Sequence, residues 1–330
     1  MRYIQKELLL NLRKSIQFIF FIYTLVMGIW FYIYVQQLKQ GNYNITKPAS
    51  VEGFLPISAF MSLKKFLLTG NYDLIHPAGL TIFIAAILMS IIVKKSFCSH
   101  ICPIGFLSEI ISSAGFKIKI NRWIAYALSS LKYLLLLFFL NVIILQMDVK
   151  QISLFQESPY NIVAEAKMLY FFLDMSLTGS IIIAFLIVLT YFFKNFWCRF
   201  LCPYGALLGI ISIISPFKIK RKSDRCINCK QCQGSCPADI DVYYKRTIFS
   251  PNCIGCRDCT LSPTALKQHC LKAIKNDKLD KKHKNKLSLL AASIFLLCFA
   301  VAYITGNWHS QVTNEEYAYF LNIIHNLAHP

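Results

Sequence analysis

The sequence predicts an all-α polytopic membrane protein of about five transmembrane helices, built on an internal parallel repeat and carrying a small cytoplasmic α+β domain. Three observations predict it. The 330-residue chain is 56% hydrophobic and only 15% charged, with mean hydropathy +0.49, too apolar for a soluble chain of this length. A cysteine motif at residue 98 returns at residue 198 with its flanking residues. Finally, twelve of the 13 cysteines fall into three spaced signatures, two of them inside residues 226–270.

Five apolar stretches are long enough to span, at roughly residues 16–35, 76–93, 124–146, 176–193 and 287–305; the second and fourth are near the short limit. The first ends in Y-I-Y-V-Q-Q without a small-residue cleavage site, so it reads as a retained anchor rather than a cleaved signal. Lys132 lies inside the third. It reads as a snorkelling residue or a late start of the span, with a buried functional charge as the alternative. The chain divides into a membrane domain over 1–217, a cytoplasmic cysteine-rich domain over 218–286, and a fifth helix with an external tail over 287–330.

Charge sets the expected orientation. Arg2, Lys6, Arg13 and Lys14 precede the first span, and Lys94, Lys95, Lys117, Lys119 and Arg122 follow the second. Residues 218–286 hold 17 Lys and Arg against 6 Asp, and no Lys or Arg follows residue 305. Lys39, Lys47, Lys64 and Lys65 in the first loop oppose this trend without reversing it. The pattern predicts N-terminus and cysteines in the cytoplasm and C-terminus outside, in a bacterial inner membrane. Cytoplasmic thiols stay reduced, so disulfides are not expected. The formal charge of +19 is then positive-inside bias plus attraction to anionic lipid, and no nucleic-acid partner is needed.

The first cysteine run is Cys226-I-N-Cys229-K-Q-Cys232-Q-G-S-Cys236-Pro237, the C-x2-C-x2-C-x3-C-P spacing of a two-cluster bacterial ferredoxin. Three thiolates two residues apart wrap three corners of a cubane, and the fourth, carried away by three residues and a proline, ligates the other cluster. A second triplet follows at Cys253, Cys256 and Cys259, with Cys270 eleven positions later. Crossed ligation predicts one [4Fe-4S] cluster on Cys226, Cys229, Cys232 and Cys270, and a second on Cys236, Cys253, Cys256 and Cys259. The second half departs from the pattern at Cys270, which follows a longer loop and precedes Leu271 rather than proline. A longer loop adds little entropic cost. C-x2-C alone would allow zinc; two consecutive triplets and the Cys-Pro disfavour it.

The remaining signature is the repeat. Cys98-S-H-I-Cys102-Pro103 recurs as Cys198-R-F-L-Cys202-Pro203; Lys94 matches Lys194, Gly105 matches Gly205, and F-K-I-K at 116 matches F-K-I-K at 217 after a one-residue gap. An offset of 100 residues holding two spans puts both copies on one membrane face, a parallel repeat. Cys98, Cys102, Cys198 and Cys202 are therefore a candidate third metal or thiol redox site; the alternative is helix-end packing. His100, without a counterpart in the second copy, reads as a local contact, and Cys298 as a packing residue.

The first external loop reads as an interfacial helix beginning at Pro56. Phe54, Ile57, Phe60, Met61, Phe66 and Leu67 supply its apolar positions. A quinone pocket beside His76 is the competing reading. His309, His325 and His329 share that side, but no paired histidines on facing spans support heme. No acid/base pair, nucleophile constellation or phosphate loop appears, so no catalytic residue is assigned.

Two Cys-x3-Cys-Pro motifs at span ends, a two-cluster ferredoxin segment, V-E-G-F-L-P-I-S-A-F-M-S-L-K-K-F-L-L-T-G at 51 and I-H-P-A-G-L at 75 together resemble the NapH/NosR-type membrane polyferredoxins, over about residues 16–305. The resemblance implies electron transfer at the bacterial cytoplasmic membrane, often between the quinol pool and an exported reductase system. The chain departs from NosR-like members in lacking a large exported flavin-binding domain and in ending with an added span. The expected function is a membrane-bound iron–sulfur electron carrier linking quinol or a cytoplasmic donor to a redox partner protein. Two alternatives stay open: a redox sensor or maturation factor for a partner metalloenzyme, and a metal-ion reductase.

Overall fold

A computed structural model describes residues 11–116, 118–268, 270–273 and 281–327. Arg2, Lys6, Lys117 and His329 lie outside them. The described chain is mostly helical. In order it forms α1 (Leu12–Lys39), α2 (Pro56–Thr69), α3 (Pro77–Val93), α4 (Ser96–His100), α5 (Pro103–Ala114), α6 (Arg122–Leu140), α7 (Val149–Gln156), α8 (Ala164–Leu173), α9 (Leu177–Phe192), α10 (Pro203–Ile211), α11 (Lys281–Ile304) and α12 (Asn314–Asn322). Strands β1 (Ile219–Arg221) and β2 (Leu271–Ala273) pair antiparallel, Ile219 opposite Ala273.

Each of the five apolar stretches is a helix. Three are long and apolar enough to cross a bilayer: Leu12–Lys39, Trp123–Gln146 and Lys284–Ile304. The third runs from α6 into a π-helical turn, Asn141–Gln146. The other two fall short for the reason their length gives. The 17 residues of α3 rise about 25 Å at 1.5 Å per residue, less than the ~30 Å hydrocarbon thickness. The 16 residues of α9 pass the same test only together with α8, from which they bend by 83°. Large apolar side chains on these helices stay uncovered, among them Ile19, Ile29, Ile182, Phe185, Leu297 and Val301. Such a surface requires a hydrocarbon solvent; the chain is a membrane protein.

The fold divides into two compact units. Residues 1–21, 86–136 and 184–295 form the first, and residues 22–85, 137–183 and 296–330 the second. The chain crosses from one unit to the other inside α1, α3, α6, α9 and α11.

In the first unit, α5 and α10 begin alike. Cys102 and Cys202 are their N-cap residues, and Pro103 and Pro203 occupy N1, where the missing N–H costs nothing. The copies differ just before: residues 96–100 are α-helical, whereas Trp197–Leu201 form a π-turn. A core of Ile219, Val242, Ile248, Ala265 and Leu271 packs with Cys232, Cys236, Cys259 and Cys270.

In the second unit, α2 starts at Pro56 and ends at Gly70 (φ +74°), as the loop reading expected. Met61 is buried, while Ile57 and Leu67 are exposed. Lys64 donates to the carbonyls of Ile143, Ile144 and Met147, satisfying the free C-terminal acceptors of the third span.

Candidate functional site

The two cysteine triplets share one backbone path. Asn228 (φ 54°) and Gly255 (φ 69°), each just before a middle cysteine, are left-handed; so are Lys230 (φ 59°) and Arg257 (φ 60°), each just after it. Asn and Gly are the residues that reach this region most easily. A short helical turn then carries Cys232 (Gln231–Gly234) and Cys259 (Asp258–Leu261).

The thiols influence one another unequally. Cys232 feels the charges of Cys270, Cys226 and Cys229. Cys259 feels those of Cys236 and Cys253 ahead of Asp258 and Cys232, and Cys256 feels Asp258 and Arg13 ahead of Cys236 and Cys259. Cys270 is carried there by β2: the Cys270 carbonyl accepts from the Lys222 N–H. Among the described residues, the only His, Cys, Asp or Glu triad with ligand atoms all within 4.8 Å is Glu52, His76 and Glu165. Four spaced thiols per group suit a larger iron–sulfur unit. Burial pushes Cys236 up to about 11 and lifts Cys256 and Cys259 well above the usual thiol range. Thiolates there need a cationic ligand to exist, which a cluster iron supplies.

The repeat cysteines form a third group. Cys198 feels Cys202, Cys102 and Cys98, and burial raises Cys98 to about 11 and Cys102 to about 12. Cys202 Sγ accepts the Gly205 N–H at 3.2 Å at the start of α10. Two buried ammonium groups stand nearby. Lys95 is 2% exposed and donates to the Gly205 carbonyl at 3.0 Å. Lys132 is 1% exposed, donates to Asn252 Oδ1 at 2.6 Å and faces Cys202 and Cys198. Neither has a carboxylate partner among the described residues. Lys132 thus does not snorkel to water, because Asn252 and the thiols surround its ammonium. An unpaired buried cation is costly; four metal-bound thiolates would compensate two of them. His100 is a local contact: Nδ1 donates to the Ser96 carbonyl, and Nε2 meets the Ser288 hydroxyl at 3.1 Å. Burial lowers it to about 3, so it stays neutral.

Sequence reasoning missed the charges that seat the second triplet. Arg13, counted above as positive-inside charge, is fully buried; it forms a two-pronged pair with Glu109 at 2.6 and 2.9 Å and reaches Asp258 at 3.1 Å. Lys284 meets the other Asp258 oxygen at 2.5 Å. Burial works against the Asp258 charge, but Arg13 and Lys284 outweigh it and hold the carboxyl below its usual value. Lys94 is buried without a hydrogen-bond partner and faces Cys253. Lys194, its repeat mate, donates to the carbonyls of Gly234 and Cys236. The equal spacing of the two lysines was visible in the sequence; their common target was not.

In the second unit, His76 is enclosed rather than lining an open pocket. Its Nε2 donates to the Asn161 carbonyl at 2.7 Å, and Nδ1 lies 3.2 Å from Glu165. Lys47 bridges Glu165 at 2.7 Å and Glu52 at 3.2 Å. Burial disfavours the imidazolium, but the two carboxylates outweigh it and raise His76 to about 10. With His76 and Lys47 protonated against two glutamates, the network is electroneutral. Glu52 also accepts the N–H groups of Ala78 and Gly79 at the start of α3.

A 4Fe-4S binding domain family matches residues 75–121 and 175–222. Both matches contain a Cys-x3-Cys-Pro pair, and they start 100 residues apart. The putative electron transport protein YccM of Escherichia coli is 35% identical over 315 residues, 92% of this chain and 88% of that protein. The chain belongs to the NapH/NosR-like family of membrane polyferredoxins. The ferredoxin-type protein NapH of Haemophilus influenzae is 26% identical, over 56% of this polyferredoxin and 65% of its own length. The regulatory protein NosR of Stutzerimonas stutzeri is also 26% identical, over 50% of this chain but only 23% of its own. No solved structure matches this polyferredoxin.

Proposed function

We propose that this polyferredoxin moves single electrons at the bacterial inner membrane, between quinol or a cytoplasmic donor and a reductase partner. Cys226, Cys229, Cys232 and Cys270 would hold one [4Fe-4S] cluster, Cys236, Cys253, Cys256 and Cys259 a second, and Cys98, Cys102, Cys198 and Cys202 a third metal site. The observations that support the reading are the repeated triplet spacing, with the same left-handed backbone path in both copies, and a separate Cys-x3-Cys-Pro quartet whose thiols lie within electrostatic reach of one another. Clusters bound there would supply one-electron chemistry at potentials set by burial and hydrogen bonding. The chain's own part is ligation, exclusion of water and charge compensation. Lys94 and Lys95, adjacent in sequence, serve two groups, since Lys94 faces Cys253 and Lys95 faces Cys98.

The orientation proposed is N-terminus and all three groups cytoplasmic, C-terminus external. Its support is the charge bias. Both repeat motifs and the ferredoxin segment fall in one unit, and the first loop and tail in the other. A name such as regulatory protein NosR favours the second reading, control or maturation of a partner metalloenzyme.

Anaerobic purification with iron, sulfide and EPR analysis tests the assignment. More than about eight iron per chain is expected, because two cubanes account for eight. Zinc without labile sulfide would overturn it. Cys98→Ser and Cys198→Ser should each stop reoxidation of the reduced protein by a quinone analogue, with the double variant little worse than either. Groups that act as one unit are non-additive. Additive losses would return these cysteines to a packing role. Unchanged electron flux in a deletion strain, with altered cofactor loading of a partner, would favour the maturation reading.

A further inference from the structure

The two triplet loops provide an internal control. Ile254 and Ile227 occupy equivalent positions. Around the second loop, residues 251–260 have no exposed member, and Ile254 is held by its carbonyl, which accepts from Ser99 Oγ at 2.8 Å. Around the first loop, residues 223–231 are exposed except Cys226, and Ile227 is 62% exposed. The same loop is covered by this chain's helices in one copy and, among the described residues, is left open in the other.

The uncovered copy carries a positive rim. Lys220, Arg225, Lys230, Lys245 and Arg246 are exposed, against the single exposed carboxylate of Asp224 in residues 218–231. These segments are neighbours: Arg221 N–H donates to the Arg246 carbonyl at 2.8 Å, and Lys220 bridges to Thr247. Exposed Tyr244 adds a second apolar contact. Cys229 is itself exposed, so a docked molecule would stand directly over a cluster ligand.

We infer that this face, centred on Ile227 and Cys229 and rimmed by Lys220, Arg225 and Lys245, is the docking surface for a small, acidic, soluble one-electron carrier protein. An apolar centre with a cationic rim is the complement of an anionic protein with an apolar redox edge. A purely lipid-directed basic patch needs neither Ile227 nor an exposed cluster ligand. The inference rests on the electron-carrier reading above, and it supplies the partner class.

The test uses the full chain in detergent, purified without oxygen and assayed first for iron. The probe is a plant-type [2Fe-2S] ferredoxin, an acidic protein, with basic cytochrome c as the opposite-charge control. Calorimetry should detect ferredoxin binding at low salt that weakens about tenfold or more by ~0.3 M salt, as Debye screening demands. The triple variant Lys220→Glu, Arg225→Glu, Lys245→Glu should lose about tenfold at low salt, with its iron content unchanged. Ile227→Ala should weaken binding less, and equally at all salt concentrations. Salt-independent binding, preference for cytochrome c, or a triple variant that loses only affinity for anionic vesicles would overturn the docking surface. An iron-free chain would instead overturn the electron-carrier reading, so the two failures are distinguishable.

Discussion

The loop at Cys226–Cys232 and the loop at Cys253–Cys259 have the same cysteine spacing and the same two left-handed residues, yet opposite surroundings. The second is built into the helices. Arg13 and Lys284 hold Asp258, Lys132 holds Asn252, and Ser99 holds Ile254. The first is largely exposed. Arg221 is the charged neighbour of Cys226: burial raises that thiol slightly, but the Arg221 and Asn228 hydrogen bonds outweigh it and lower it. The lesson is that ligand spacing determines what can be bound, whereas the second layer of contacts determines which side of the protein it serves. A loop locked to the helices suits exchange with the membrane, and a loop open to water suits exchange with a soluble partner.

The largest break in this comparison should come from Arg13→Ala. It strands the half-buried Glu109 carboxylate and leaves Asp258 to Lys284 alone, and breaking a pair around a buried guanidinium costs up to about 3–5 kcal/mol. Iron at the second loop should be lost or strongly reduced while the first-loop signal persists in EPR. The matching change on the open side, Arg225→Ala, removes a surface pair 3.9 Å from Asp224, with side chains 53% and 74% exposed, worth at most about 1 kcal/mol. Equal damage from both variants would mean that the two loops are not differently anchored.

A milder probe is iron removal. Cys229 is exposed and Cys226 half-buried, whereas Cys256 and Cys259 are buried. A water-soluble chelator under mild oxidation should therefore strip the first-loop cluster several-fold faster, leaving an intermediate with about half the ferredoxin-segment iron. Simultaneous loss from both loops would show that solvent access does not separate them.

These contrasts also mark what the sequence could tell. Five helices lie where the apolar runs predicted, because burying or dissolving a 20-residue apolar run in lipid leaves few alternatives. The crossed pattern assigns Cys270 to the first triplet despite its longer loop, and that assignment remains part of the proposal. The charged residues were misread where pairing decides. Arg13 looked like a headgroup lysine's equal, and Lys132 like a snorkelling side chain, because composition counts charges without saying what faces them. Glu52 and Glu165 stand 113 positions apart and meet only through Lys47 and His76.

The smallest expected effect is the sharpest, because it changes one atom group at equivalent positions. Asn228 and Gly255 share the left-handed conformation, so any backbone penalty of an L side chain is common to both, about 1 kcal/mol. What differs is space. A Cβ at Gly255 would lie 2.9 Å from the Val93 carbonyl and 3.1 Å from Lys94 Cβ, contacts that neither backbone nor buried lysine can relieve cheaply. Asn228 is exposed and already carries its Cβ in water. Asn228→Gly should thus change the thermal midpoint of first-loop iron loss by little, within about 0.5 kcal/mol in equivalent stability. Gly255→Asn should cost about 1–3 kcal/mol by overpacking, beyond the shared strain, and should lower the midpoint of second-loop iron loss alone. Gly255→Ala should fall between them. If Gly255→Asn is as silent as Asn228→Gly, the second loop does not press on the end of α3, and its proposed attachment to the membrane helices fails with it.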